Sequence, residues 1–144
     1  MKRRILLTVI VLLGIFATWN IIWLIYVNVK FEKYMEAVPK NDLGAHILEK
    51  DGYVFNVKKP EYLSFTGNLG VSKLNSLDGL IIWPLLFGGY EYGLRLQTEE
   101  GVLEITVDDN KELLQSKMNK TTYDKYKEDI EKLFAIAEEV WDLP

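Results

Sequence analysis

ILLTVIVLLGIFATWNIIWLIYV, residues 5–27, runs for 23 residues without a charge, and its reading divides the chain. Only Thr8, Thr18 and Asn20 interrupt its apolar character. As a helix the run is roughly 34 Å long, against about 30 Å for the hydrocarbon core of a bilayer. The spacing therefore predicts one transmembrane helix. Trp19, Trp23 and Tyr26 gather toward its far end, where amphipathic rings favour the membrane–water interface, and are the expected anchor residues there. Lys2, Arg3 and Arg4 precede the run. By the positive-inside rule they predict a cytoplasmic N-terminus and an extracytoplasmic C-terminal domain, a single-pass protein of the cell membrane.

A cleaved signal peptide is the main competing reading. The run exceeds an ordinary signal core, and no small-x-small site follows it: Ala17 has Ile15 two residues before it. An uncleaved signal-anchor is the expectation. A buried core helix of a soluble protein is the third reading.

Beyond the run, Phe31, Tyr34, Met35 and Val38 fall at i, i+3, i+4 and i+7, a single helical stripe, with Glu32, Lys33 and Glu36 on the other side. The helix is expected to continue past the bilayer and stop at Pro39, and residues 39–44 read as a linker. The stripe is expected either to pack on the domain or lie among headgroups, or else to form a dimer seam. The predicted organisation is a cytoplasmic tip and anchor over 1–29, a juxtamembrane helix and linker over 30–44, and a domain over 45–144.

Charge and composition narrow the function classes. Three of the 17 basic residues precede the apolar run, so the rest of the chain sets 14 bases against 21 acids, a net of −7. An acidic domain repels phosphate backbones, which argues against nucleic acid as a partner and against docking on anionic lipid through a basic patch. The absence of cysteine excludes disulfides, thiolate metal sites, cysteine nucleophiles and a lipobox-type anchor.

The domain reads as strands followed by a helix. Residues 45–49 and 53–57 flank Lys50-Asp51-Gly52, a strong hairpin signal. Tyr62 to Thr66 reads as a further strand, stopped by Gly67-Asn68-Leu69-Gly70, and residues 71–79 as a polar connector. Leu80-Ile81-Ile82-Trp83 reads as a strand buried on both faces, with Pro84 breaking it. Tyr90, Tyr92, Leu94 and Leu96 alternate with Glu91, Gly93, Arg95 and Gln97, and Leu103, Ile105 and Val107 alternate likewise, which predicts a half-buried antiparallel hairpin. A short helix over 111–117 is expected, then a long amphipathic one begun by Thr121 and Asp124 as a capping-box-like pair. Its apolar stripe is Tyr123, Tyr126, Ile130, Leu133, Phe134, Ala137, Val140 and Trp141. The expected fold class is α+β: an N-terminal transmembrane helix, then an antiparallel sheet of roughly five strands with the C-terminal amphipathic helix packed on one face.

Few residues point to chemistry. His46 is the only histidine, a poor metal set without cysteine, and no Gly-x-Ser-x-Gly elbow supports its pairing with Ser64, Ser72 or Ser76. Its bland role is a satisfied strand residue. Asp108, Asp109, Asn110 and Glu112 carry oxygen ligands suited to Ca²⁺ but lack the spacing of an EF-hand loop, so a strand-to-helix turn is the expectation. Glu138, Glu139 and Asp142 crowd the end of a helix where the macrodipole is negative, which a cation or a basic partner would offset. The most unusual segment, residues 81–92, offers Trp83, Phe87, Tyr90, Glu91 and Arg95 as a candidate binding surface; its plainer role is core plus turn. No nucleotide, zinc-protease or kinase pattern occurs, and no metal or cofactor is expected.

The plan resembles that of the small single-pass proteins of Gram-positive bacteria that hold a compact domain just outside the membrane; no motif carries a residue role over. The expected function is a membrane-tethered binding or protein-interaction module without catalysis of its own. Its expected partner is another envelope protein or a membrane-proximal ligand. The alternatives are a small envelope hydrolase using His46 or clustered carboxylates, and an immunity-type protein against a secreted toxin.

Overall fold

A computed structural model describes residues 2–99, 101–107 and 120–143, with side chains in the last segment from Asp124 onward. The chain opens with one uninterrupted helix, α1 (Lys2–Ala37). Six strands follow: β1 (His46–Lys50), β2 (Tyr53–Lys58), β3 (Asn68–Lys73), β4 (Gly79–Pro84), β5 (Tyr90–Thr98) and β6 (Gly101–Val107). A second helix, α2 (Lys120–Trp141), closes the fold. Every strand pairs antiparallel with the next, in the order β1-β2-β3-β4-β5-β6. The architecture is α+β, an open antiparallel sheet with a helix packed on it, as the alternation and the helical stripe predict.

The apolar run forms most of α1, and this helix is long and apolar enough to cross a membrane. Its side chains from Ile5 to Phe16 touch little else in the protein. Further along, one stripe turns inward: Val27, Phe31, Tyr34 and Val38 are buried, and the last three join the domain's main core. The stripe beyond the apolar run thus packs on the domain. Tyr34 donates or accepts across a 2.9 Å hydroxyl contact with Tyr90. Burial, with this bond second, pushes the Tyr34 phenol well above its ordinary pKa.

Period-two alternation places Phe55, Val57, Leu69, Val71, Leu80, Ile82, Tyr92, Leu94, Leu96, Ile105 and Val107 on the core face of the sheet. α2 lies across this face against β3 and β4. Ile130, Leu133, Phe134, Ala137 and Trp141 are its buried residues, at helical spacing. Phe134 meets Tyr92 edge-on at 5.1 Å, and Trp141 meets Phe55 at 5.7 Å.

Three expectations require correction. Residues 62–66 are not a strand: they form a loop, with a turn in which the Ser64 amide donates to the Glu61 carbonyl at 2.8 Å. The strand lies one step later, in β3, where a turn and a connector were expected. Gly70 within it and Gly67 just before it serve close approach rather than turning: a Cβ on Gly70 would stand 2.6 Å from the Asn56 amide, and one on Gly67 2.6 Å from the Phe31 ring. The third concerns β4, which buries Leu80 and Ile82 but turns Ile81 outward, because the helices cover one face only. With β3 in place of the expected 62–66 strand the sheet has six strands, and β4 lies inside it despite Pro84 at its end. The expected short helix over 111–117, the oxygen-ligand cluster at 108–112 and the side chain of Thr121 lie outside the described residues.

Candidate functional site

Both helices pack on one face, and among the described residues nothing covers the other face of the sheet, the open face. Its residues are the alternate set: Asn56 from β2, Ser72 from β3, Ile81 and Trp83 from β4, Glu91, Gly93 and Arg95 from β5, and Glu104 from β6. Glycine at an outward strand position leaves a trough where a side chain would stand. Gly93 is such a position, and the Trp83 indole fills the gap: a Cβ there would lie 2.7 Å from its ring. Two shallow cavities result, of about 300 and about 270 Å³, both touching Ile81 and Arg95. The first also touches Asn56 and Ser72, and the second Trp83 and Glu104.

On this face Arg95 and Glu104 are paired, and Glu91 is a second carboxylate. Arg95 Nη2 donates to Glu104 Oε1 at 2.7 Å, and Arg95 Nε donates to the same oxygen at 3.1 Å. Both groups are at least half exposed, so the pair contributes about 0–1 kcal/mol to stability. The arrangement offers an apolar, partly aromatic floor with a paired cation and anion beside it. It suits a contact of mixed polarity better than a charged ligand.

The five residues singled out in the sequence do not form one surface. Trp83, Glu91 and Arg95 share the open face, with Trp83 paired to Glu91 across β4 and β5. Tyr90 points to the other side, where its hydroxyl meets that of Tyr34. Phe87 lies at the tip of the β4–β5 turn and is 97% exposed. Ile81, Gly93 and Glu104 belong to the face and escaped sequence reading. The one available signal was Gly93 inside a strongly alternating strand.

Trp19, Trp23 and Tyr26, expected as interface anchors, meet the β2–β3 loop. Phe65 packs edge-on between Trp19 at 5.3 Å and Tyr26 at 5.2 Å, two helical turns apart. Trp23 meets Tyr62 at 5.4 Å, and its Nε1–H donates to the Ser64 carbonyl at 2.6 Å. Tyr62 donates its hydroxyl proton to Asn20 Oδ1 at 2.6 Å, while Asn20 Nδ2 donates to the Phe16 carbonyl at 2.8 Å. Asn20, the amide in an otherwise greasy stretch, was the signal for such a partner.

His46 has a structural role. Its Nδ1 lies 2.7 Å from the Val38 carbonyl, which can only accept, so the ring donates there. The shallow cavity it touches is lined by residues of the β1 approach and β2, none of them a serine or a carboxylate. At the end of α2, Glu139 is met by Lys50 of β1 at 3.3 Å, a basic group of the same chain offsetting part of the carboxylate crowding. Among the described residues no three His, Asp or Glu side chains gather to hold a metal.

No family model matches the chain, and no curated protein and no solved structure is significantly similar to it.

Proposed function

We propose that this is a single-pass membrane protein, N-terminus in the cytoplasm, whose extracytoplasmic domain binds a neighbouring envelope protein or membrane-proximal ligand through its open sheet face. One observation carries the reading: the stripe on α1 runs unbroken from the apolar stretch into the domain core through Trp23, Val27, Phe31, Tyr34 and Val38. A helix that is both anchor and core element fixes the domain's height and attitude at the membrane. The open face looks away from α1 and so addresses neighbours rather than the anchor. Ile81 and Trp83 supply its apolar centre, and Arg95 and Glu104 its polar edge. Aromatic and arginine residues are the side chains most enriched at such contacts.

Two measurements test it. Reporter fusions to the C-terminus that are active on only one side of the membrane should report the extracytoplasmic side; cytoplasmic activity overturns the topology. Photo-crosslinking residues at Ile81 and Glu91 in native membranes should give an adduct of one defined mass that Trp83→Glu abolishes, and none should form from Lys127 on the outer side of α2. Equal yields from all three positions, or an adduct indifferent to Trp83→Glu, would refute a binding role for this face.

A further inference from the structure

We infer that the β2–β3 loop (residues 59–67) and the β4–β5 turn (residues 85–89) seat in the outer phospholipid interface beside α1, so that the domain stands on the bilayer at three points. The inference rests on α1 crossing the membrane.

The topology comes first. In a meander, alternate connections emerge at the same end of the sheet, so these two share one end and residues 51–52, 74–78 and 99 share the other. The two ends differ in composition. The first carries Tyr62, Leu63 and Phe65 on one loop, preceded by Lys59 and Glu61, and Leu85, Leu86 and Phe87 on the other, which is free of charge. The second carries Asp51, Asn75, Asp78 and Glu99, with Leu74 and Leu77 among them.

Depth comes next. The charged residues that bracket the apolar run, Arg4 and Lys30, are 26 positions apart, or roughly 39 Å along the helix. Counted from Arg4, Asn20 stands at about 24 Å and Trp23 at about 28 Å, against a hydrocarbon core of about 30 Å. The β2–β3 loop touches Trp19, Asn20 and Trp23, so its tip lies at the outer rim of that core. The β4–β5 turn is held one level higher, where Lys30 Nζ donates to the Leu85 carbonyl. The same headgroup level holds Lys59, whose ammonium reaches Asn28 Oδ1 at 3.5 Å.

Irregular backbone survives near lipid only where its polar groups are satisfied within the protein. Both segments meet that demand at their centres. Ser64 donates its amide to Glu61 and accepts from Trp23, and the Thr66 amide donates to Ser64 Oγ. Leu85 donates its amide to the Gly89 carbonyl and accepts from the Gly88 amide and from Lys30. Most of what remains outward is apolar: Tyr62 is 62% exposed and Phe87 97%, with Leu63 and Leu86 exposed beside them, while the exposed Glu61 pairs with Lys58 at 3.0 Å and Thr66 is the other polar side chain exposed there. Leu63 also holds φ at +61°, a left-handed conformation that a residue with a Cβ rarely adopts. Lipid contact gives these side chains the burial that water denies them.

The chain has no cysteine, so single cysteines label cleanly. Full-length Leu63→Cys, Phe87→Cys, Leu77→Cys and Phe16→Cys, each carrying an environment-sensitive fluorophore, would be placed in phosphatidylcholine vesicles containing a doxyl-labelled phosphatidylcholine quencher. Labels at 63 and 87 should be quenched several-fold more than the label at 77, at the far end of the sheet. All four side chains are exposed, and a cooperative melt matching the parent verifies each fold. If 16 is quenched while 63 and 87 match 77, the seating is wrong and the anchor stands. If 16 is not quenched either, α1 does not span and both readings fall.

Discussion

Cutting the chain at Pro39 should unfold the domain, although the cut lies before its first strand. The perturbation removes Val27, Phe31, Tyr34 and Val38, all 5% exposed or less. Burying a side chain of this kind stabilises by about 1.5–3 kcal/mol, so the four together contribute roughly 6–12 kcal/mol. That figure is an upper bound, because unfolded chains already bury part of this surface. It still matches the whole stability of a typical domain, about 5–15 kcal/mol. The lost helix also takes with it the Val38 carbonyl that holds His46. Two soluble fragments make the comparison, residues 39–144 and residues 27–144, the second keeping the four side chains without most of the apolar run. Thermal melts followed by near-ultraviolet circular dichroism, with amide exchange as a second probe, should show a cooperative transition for the longer fragment only. A fragment 39–144 that melts cooperatively with the stability of 27–144 would refute the claim that α1 is a core element.

Gly67→Ala should destabilise the protein by about 1–3 kcal/mol, since the new Cβ would stand 2.6 Å from both the Lys58 carbonyl and the Phe31 ring and both contacts must be relieved; denaturant titration reads it. In a double-mutant cycle, Asn20→Leu and Tyr62→Phe should couple by about 0.5–1.5 kcal/mol, and additivity would mean that their hydrogen bond contributes nothing. The raised Tyr34 pKa has a signed consequence: above pH about 10 the unfolded chain loses a proton that the folded chain keeps, so stability falls as pH rises through that range. Tyr34→Phe should flatten this decline in melts taken at increasing alkalinity, and an unchanged slope would exclude Tyr34 as its source.

Much of the fold was legible because alternation and helical stripes are set by which side of an element meets water. The 46–58 and 90–107 hairpins and the α2 stripe follow directly from that rule. β3 was not legible, because Gly67-Asn68-Leu69-Gly70 has the composition of a turn, while its glycines are there to admit Phe31 and Asn56. Local sequence does not record which distant side chain approaches a backbone. The same reason hid the partnership of Trp19 and Trp23 with the β2–β3 loop, since an aromatic ring at the end of an apolar run satisfies the interface rule whether lipid or protein covers it. On the open face, the common orientation of Glu91 and Arg95 was readable from period two. Trp83 could be aligned with them only once the turn at 85–89 had set the register between β4 and β5.

A shaft with no joint transmits whatever leans it. α1 passes from the apolar stretch into the domain core without a break, so no hinge separates that stretch from the part that carries the sheet. Apolar spans tilt more where the surrounding bilayer is thin. If α1 spans as proposed, such a tilt swings the uncovered side of the sheet through the same angle, and lipid thickness becomes a setting for where the protein points.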